Sequence, residues 1–191
     1  MGRGRQVGQV GRPEWAALPT LRDRVRLPMR ALLVGINPGV RSAQVGHHFA
    51  GPSNRFWKLL YDSRLVPEPI GSEHDERLPE FGLGITNVVA RATPGIDALT
   101  PDEYVEGVRI LRRKVRRWRP PLIAFVGVTL YRSVFARPAS LPVAVGAQAE
   151  RFEEAEVFVL PNPSGRNANF TYAQMLAAFR SLKERLPSPR S

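Results

Sequence analysis

The chain has 191 residues, a formal net charge of +11, 43% hydrophobic and 24% charged residues, and no cysteine. That length suits one domain able to bury a core, and the absence of cysteine excludes disulfides, thiolate zinc sites, cysteine nucleophiles and cysteine-ligated iron–sulfur clusters together. Histidine occurs only at 47, 48 and 74 and acids are scarce, so no metal or other cofactor is expected.

Of the 28 basic residues only Lys58, Lys114 and Lys183 are lysine, which leaves 25 arginines. Arginine's planar fork suits phosphate, so the partner expected is polyanionic, with nucleic acid first. A codon-biased genome would also explain the Arg-to-Lys ratio, though not the net charge.

In chain order, residues 1–27 are rich in Gly, Arg and Pro without periodicity and read as a basic, flexible arm. Non-specific phosphate contacts and plain disorder are equally open for it. The start MGRGRQVGQVGRPEW has no apolar stretch behind its basic residues, which does not suit a secretory signal. No run approaches the roughly 20 apolar residues of a membrane span, so a cytoplasmic protein is expected. Residues 28–187 form the single domain.

Ala31 to Ile36 is a continuous apolar run, as in a strand covered on both faces. Pro52-Ser53-Asn54-Arg55 opens a helix ending near Arg64, with Phe56, Leu59 and Leu60 on its buried side. Residues 67–80 read as a loop and Gly82 to Val89 as a second strand. Thr100-Pro101-Asp102-Glu103 has capping-box form and predicts a helix whose apolar stripe is Val105, Val108, Leu111, Val115 and Trp118. Seven basic residues between Arg109 and Arg119 crowd its other faces, as a solvated face or a DNA-binding surface. Leu122 to Val128 is a third strand, Leu130 to Phe135 a short helix, Val157 to Leu160 a fourth strand, and Tyr172 to Leu186 a closing helix. The fold class expected is therefore α/β, three layers αβα around a mainly parallel four-stranded central sheet.

Ligands of such sheets sit beyond the carboxyl ends of the strands. Three unusual segments fall there: Gly35-Ile36-Asn37-Pro38-Gly39, Arg91 to Asp97, and Asn162 to Asn169. The stretches GINPGVRSAQVGHHFAGPSNRFWKLL, GLGITNVVARATPG and LPNPSG closely resemble the mismatch-specific uracil-DNA glycosylase and thymine-DNA glycosylase family, within the uracil-DNA glycosylase superfamily. The likeness runs with gaps from about Leu32 to Leu186, and its first motif is long and specific.

The resemblance implies a monofunctional enzyme that flips uracil from DNA, mainly from G:U mismatches, and hydrolyses its N-glycosidic bond. Asn37 matches the family's catalytic asparagine. Phe49 matches its stacking aromatic, core filling being the other reading. The base pocket it implies comprises Gly35, Ile36, Pro38, Gly39, Ser42, His48 and Phe49. Backbone amides there would read the base edge, and Ser42 would crowd thymine's 5-position. His47 and His48 resemble the GHH of the thymine-acting branch. Asn54, Asn162, Ser164, Gly165, Arg166 and Asn167 would contact the DNA backbone or fill the hole left by the base. Arg166 stands where close relatives carry leucine, which implies broader tolerance of the opposite base, single strands included. Asp97 is nominated from its placement alone as an auxiliary base or charge stabiliser, against a loop-capping role. No lysine stands near Asn37 to form a Schiff base, Lys58 belonging to the following helix. The neighbouring single-strand-selective branch and a non-catalytic DNA-binding protein on the same fold remain as alternatives. The partner expected is double-stranded DNA bearing uracil or a mismatch, bound by a monomer.

Overall fold

The apolar runs Ala31–Gly35 (β1) and Leu122–Val126 (β3) are buried at every residue, because helices cover both faces of the sheet they form. In the computed structural model, which describes residues 14–187, the remaining elements are helix α1 (Val40–Val45), helix α2 (Phe56–Asp62), strand β2 (Leu83–Asn87), helix α3 (Pro101–Trp118), helix α4 (Val128–Val134), strands β4 (Gly146–Phe152) and β5 (Ala155–Leu160), and helix α5 (Tyr172–Arg185). The sheet order is β2-β1-β3-β5-β4, parallel except for β4.

Alternation along the strands divides the core in two. Leu33, Ile85, Ala124 and Phe158 point to one face, where Phe56, Leu59 and Leu60 of α2 and Met175, Phe179 and Leu182 of α5 cover them. Leu32, Val34, Ile123, Phe125 and Val157 point to the other, against Leu111 and Val115 of α3 and Leu130, Tyr131 and Val134 of α4. The chain leaves β1 for β2 and then returns past β1 to β3, so successive crossovers use opposite faces and the order reverses between β1 and β3. That reversal, at the carboxyl ends of β1 and β3, is where an open α/β sheet makes its cleft.

The three-layer α/β expectation holds, with five strands in place of four. The additional strand is β4, an edge hairpin partner of β5 whose outward residues are half or fully exposed. Its tip residue Glu153 has φ 54 and takes Arg112 and Arg116 of α3 onto its carboxylate, the former at 2.9 Å. Those pairs, with Arg109 on Glu106, make much of the arginine run a structural surface. The α3 stripe is also rotated from expectation. Val105 is 71% exposed, and Gly107 takes the buried position because a Cβ there would lie 2.6 Å from Val88 O. Residues 67–80, expected as a loop, include 3-10 turns over Ser72–Phe81.

Residues 1–13 of the expected arm lie outside the described residues, and 14–27 pack onto the domain instead of hanging free. Arg24 pairs with Ile85 of β2 through both backbone groups, at 3.0 and 2.9 Å, covering the open sheet edge. Asp23 holds Lys114 at 2.8 Å and accepts from Thr86 Oγ1. The Arg91 guanidinium lies 5.3 Å from the Trp15 ring centre. Among the described residues, no helix is long and apolar enough to cross a membrane.

Candidate active site at the carboxyl edge of the sheet

Parallel pairing between β1 and β2 continues past the formal strand ends. Val88 N donates to Gly35 O, Val89 N to Ile36 O and Thr93 N to Pro38 O, at 2.8–3.1 Å. This zipper draws the segment after β2 alongside Asn37. The Asn37 amide nitrogen then donates to Thr93 Oγ1 at 2.8 Å, Arg91 O at 3.0 Å and Pro38 O at 3.2 Å. Two of those acceptors are carbonyls, and the Thr93 hydroxyl spends its proton on Gly95 O at 2.7 Å. The carboxamide therefore has one orientation, with Nδ2 turned into the protein. Asn37 is half-buried, and its Oδ1 is neither bonded nor enclosed among the described residues.

Phe49 faces the same end of the sheet from the loop after α1. Its ring stacks on Phe56 at 4.1 Å between centres and 18° between planes, which ties it to α2 while it stays half-buried. Its backbone adopts φ 51, a conformation costly for a bulky residue, of order 1 kcal/mol. Gly35 is bare for a reason of space. A Cβ there would lie 2.5 Å from Asn87 Oδ1 and 3.3 Å from Phe49 Cζ. Gly39 shows no such need, with φ −70 and open space where a Cβ would stand. The N–H groups of Asn37, Gly39 and Phe49 have no acceptor among the described residues.

The other expected pocket residues divide into lining and support. Ile36 and Pro38 are buried beneath the loop. Ser42, 5% exposed, accepts from Ala50 N at 3.0 Å through its hydroxyl, so it closes the α1 loop. His48 is 2% exposed and lies behind the pocket. Its Nε2 is 3.0 Å from Arg22 O, its Nδ1 3.4 Å from Asn87 Nδ2, and its carbonyl accepts from Trp57 Nε1 at 3.0 Å. Burial, more than any neighbouring charge, pushes the imidazole below its ordinary value of 6.5, against the raising influence of the Arg22 carbonyl and Asp75. Asp75 is fully buried and accepts from His48 N at 2.9 Å, Arg24 Nε at 3.0 Å and His47 Nδ1 at 3.2 Å, anchoring the loop.

The segment after β5 is built on short side-chain turns. Asn162 Oδ1 accepts from Ser164 N, Ser164 Oγ from Arg166 N, and Asn167 Nδ2 donates to Asn162 O. Gly165 presses on the loop before α2, where its Cβ would meet Ser53 at 2.6 Å, and Arg55 N donates to Pro163 O at 3.0 Å. Arg166 is left exposed at the tip. Asn54, expected at the DNA, spends Oδ1 on Phe56 N at 2.9 Å and starts α2. Asp97 is exposed in a short 3-10 turn (Ile96–Ala98) and makes no hydrogen bond among the described residues. Lys58 is paired with Asp62.

A family model of the Uracil DNA glycosylase superfamily matches residues 24–183, which include every site segment above. The chain belongs to the Uracil DNA glycosylase superfamily. A G/U mismatch-specific uracil DNA glycosylase of Schizosaccharomyces pombe is 39% identical over 148 residues, 74% of this chain and 46% of that protein. The chain thus spans about half the length of this curated relative. A solution NMR structure of a Methanosarcina acetivorans protein matches with a TM-score of 0.58 at 20% identity, covering 86% of this chain and 98% of that one, a likeness of fold.

Within this superfamily domain, Thr93, Arg91 and Asn87 join the site, from stretches that the sequence marked out without giving these three residues a role. Arg91 is clamped by Glu103 through Nε at 2.6 Å and Nη2 at 2.8 Å, which fixes the carbonyl that Asn37 uses. A cavity of about 1470 Å³ lies at the opposite, amino end of the strands, lined by Arg30, Gly82 and Pro121 among others, and shares no residue with the site.

Proposed function

We propose that this chain is a monofunctional DNA glycosylase that flips uracil out of DNA, from G:U mismatches above all, and hydrolyses its N-glycosidic bond to leave an abasic site. The observation that carries the reading is the Asn37 carboxamide, held by three acceptors so that Oδ1 alone faces outward at the switch point of the sheet. A base in the stack hides its glycosidic bond, so it must be everted first. The Phe49 ring offers its face a slab, and the free N–H groups of Asn37, Gly39 and Phe49 offer donors to the carbonyl edge of a pyrimidine.

Asn37 Oδ1 accepts from a water and aims its lone pair at the deoxyribose C1′. The C1′–N1 bond breaks with its electron pair on the departing uracil, the water oxygen bonds C1′, and the water's proton passes to solvent. A carboxamide takes no proton at neutral pH, so the rate rests on positioning and on stabilising the base anion. Asp97 would add negative charge against the oxocarbenium-like sugar. The exposed Arg166 would enter the gap beside the opposite base, where arginine stacks and donates without demanding guanine. That favours acceptance of U opposite A and of single strands as a second mode. The identity and superfamily match support DNA as the partner; we read the chain as a monomer acting where the cell keeps its DNA.

Release of uracil from duplexes with U opposite G or A, and from single strands, tests the proposal, with thymine and alkylated cytosine alongside. Asn37→Ala should lower the rate on the order of 100-fold without unfolding. An equal rate removes Asn37 from the mechanism, and bound but uncut uracil duplex would favour a binding protein on this fold.

A further inference from the structure

The mechanism leaves the cavity of about 1470 Å³ at the amino end of the strands without a role. It exceeds the roughly 300–1,000 Å³ of small-molecule pockets, so it suits a stretch of polymer. Arg26, Arg30, Arg64 and Arg119 line it. Arg26, Arg64 and Arg119 are exposed, and their side chains make no hydrogen bond or ion pair among the described residues. Arg30 donates from Nε to Pro187 O at 2.8 Å, and burial alone lowers its pKa, with no carboxylate acting on it. The two acids of the lining are already committed. Asp62 accepts from the Tyr172 hydroxyl and pairs with Lys58, and Glu80 lies 3.4 Å from Arg77 Nε. The cleft therefore carries positive charge that nothing in it offsets.

Aromatic rings stand among these cations. Tyr61 is 42% exposed, and Trp118 is half-buried in the wall. A second copy of this chain brings a charge of +11, and residues 1–13 bring Arg3, Arg5 and Arg12 with no acid, so neither complements the cleft. A duplex offers phosphates but keeps its bases stacked inside. An acidic peptide matches the charge but presents no array of flat faces to the rings. A single strand offers phosphates to the arginines and bare base faces to the rings at once.

We propose that this cleft is a second nucleic-acid site, which takes a single strand without sequence preference, its phosphates on Arg26, Arg64 and Arg119 and its bases against Tyr61 and Trp118. Arg30 precedes the five-residue β1 and Asn37 follows it, so roughly 20 Å of strand separates the cleft from the uracil site. A strand in the cleft and a base everted onto Phe49 are thus held at opposite edges of one sheet, and both fit together. The cleft goes beyond uracil excision and does not depend on it. An enzyme with both sites stays beside unpaired strands while its other edge searches duplex.

Fluorescence anisotropy tests this with a labelled dodecamer of deoxyadenylate and its RNA counterpart. The protein is first saturated with a duplex carrying 2′-fluoroarabino-uracil opposite guanine, an analogue that resists cleavage. The strand should bind while the duplex stays bound; binding of either sugar supports the site, and the tighter one names the strand it serves. Arg64 and Arg119 have φ 59 and 47, which glycine adopts freely, so a double Arg64→Gly, Arg119→Gly variant should fold no less stably. It should weaken strand binding by at least tenfold and lower the salt slope by about 1.4, the share of two phosphate contacts. Its uracil release from duplex should be unchanged. Tyr61→Ala should weaken strand binding about tenfold and keep the salt slope. Failure of the strand to bind, its displacement of the duplex, or undiminished binding in the double variant would overturn the proposal. Poly-L-glutamate of equal charge binding as tightly as the dodecamer would overturn it in favour of an acidic peptide. If the wild type holds no analogue duplex, the uracil reading fails, and the same variants of the free protein still decide the cleft.

Discussion

Thr93 Oγ1 accepts from Asn37 Nδ2 at 2.8 Å and donates to Gly95 O at 2.7 Å, so one hydroxyl fixes the Asn37 amide from 56 residues away. Thr93→Val keeps the shape and deletes the acceptor. Losing one such bond should lower single-turnover uracil release by about 5- to 10-fold, with substrate affinity nearly unchanged because Thr93, 2% exposed, touches no solvent-side surface. An affinity loss as large as the rate loss would place Thr93 in binding instead.

Phe49 combines a strained backbone with a ring stacked on Phe56, and the proposed function adds a base against that ring. Phe49→Ala should cost roughly 2–3 kcal/mol of stability, below a fully buried phenylalanine because the ring is half-exposed. Phe49→Gly should be no less stable than Phe49→Ala, since glycine accepts φ 51 freely and recovers about 1 kcal/mol. Phe49→Tyr keeps the slab and should keep inhibition by free uracil, which Phe49→Ala loses. Denaturant melts and product inhibition measure the two halves separately.

Glu103 closes the α3 capping box and clamps Arg91, the residue whose carbonyl holds Asn37. The Arg91 hydrogen bond, ahead of the Thr100 backbone contact, holds its carboxyl down from 4.5 to about 2. A carboxylate depressed in the folded state contributes stability above its ordinary value and loses it as the pH falls towards the folded one. Glu103→Gln should therefore be less stable than wild type by roughly 1 kcal/mol at neutral pH, after allowing for partial exposure. The gap should narrow between pH 4.5 and 2. Urea melts across that range check it, and a gap that stays constant would mean the cap matters and the charge does not.

How far the sequence could be read depends on whether a feature is local. The capping box at Thr100 and the buried runs of β1 and β3 are written in adjacent residues, and they stand where expected. β4 was missed because its Ala, Gln and Glu give no apolar alternation on an exposed edge, and α1 because six residues carry too little periodicity. Asn37 and Phe49 were nominated through a long motif. Thr93, Asn87 and the support role of His48 were not, since each follows from loops that meet only when β1 and β2 pair beyond their ends. Asn54 starts α2 with its Oδ1, which leaves its Nδ2 as the donor that a phosphate contact would use.

Asp97 stands exposed two residues beyond Gly95, the acceptor at the end of the Asn37–Thr93 chain of bonds. Asp97→Asn keeps size and turn chemistry while removing the charge. If the carboxylate stabilises the developing sugar cation, single-turnover release should fall by about 10-fold with no change in melting temperature. An undiminished rate takes Asp97 out of the mechanism and leaves it a surface residue.

Arg166 projects from a segment whose backbone is already fixed by Asn162, Ser164 and Asn167, so its side chain can change without moving the turn. Arg166→Leu exchanges a cation that accepts any neighbour for an apolar wedge. Inserting it into the gap left by the base gains burial only while the opposite strand stays stacked, which single strands lack. The ratio of release from U opposite G to release from single-stranded U should therefore rise, by about 5-fold or more, while the salt slope of duplex binding falls by roughly one phosphate contact. A wild-type enzyme already confined to U opposite G would refute the premise, and an unchanged ratio in Arg166→Leu would place the wedge elsewhere in the loop.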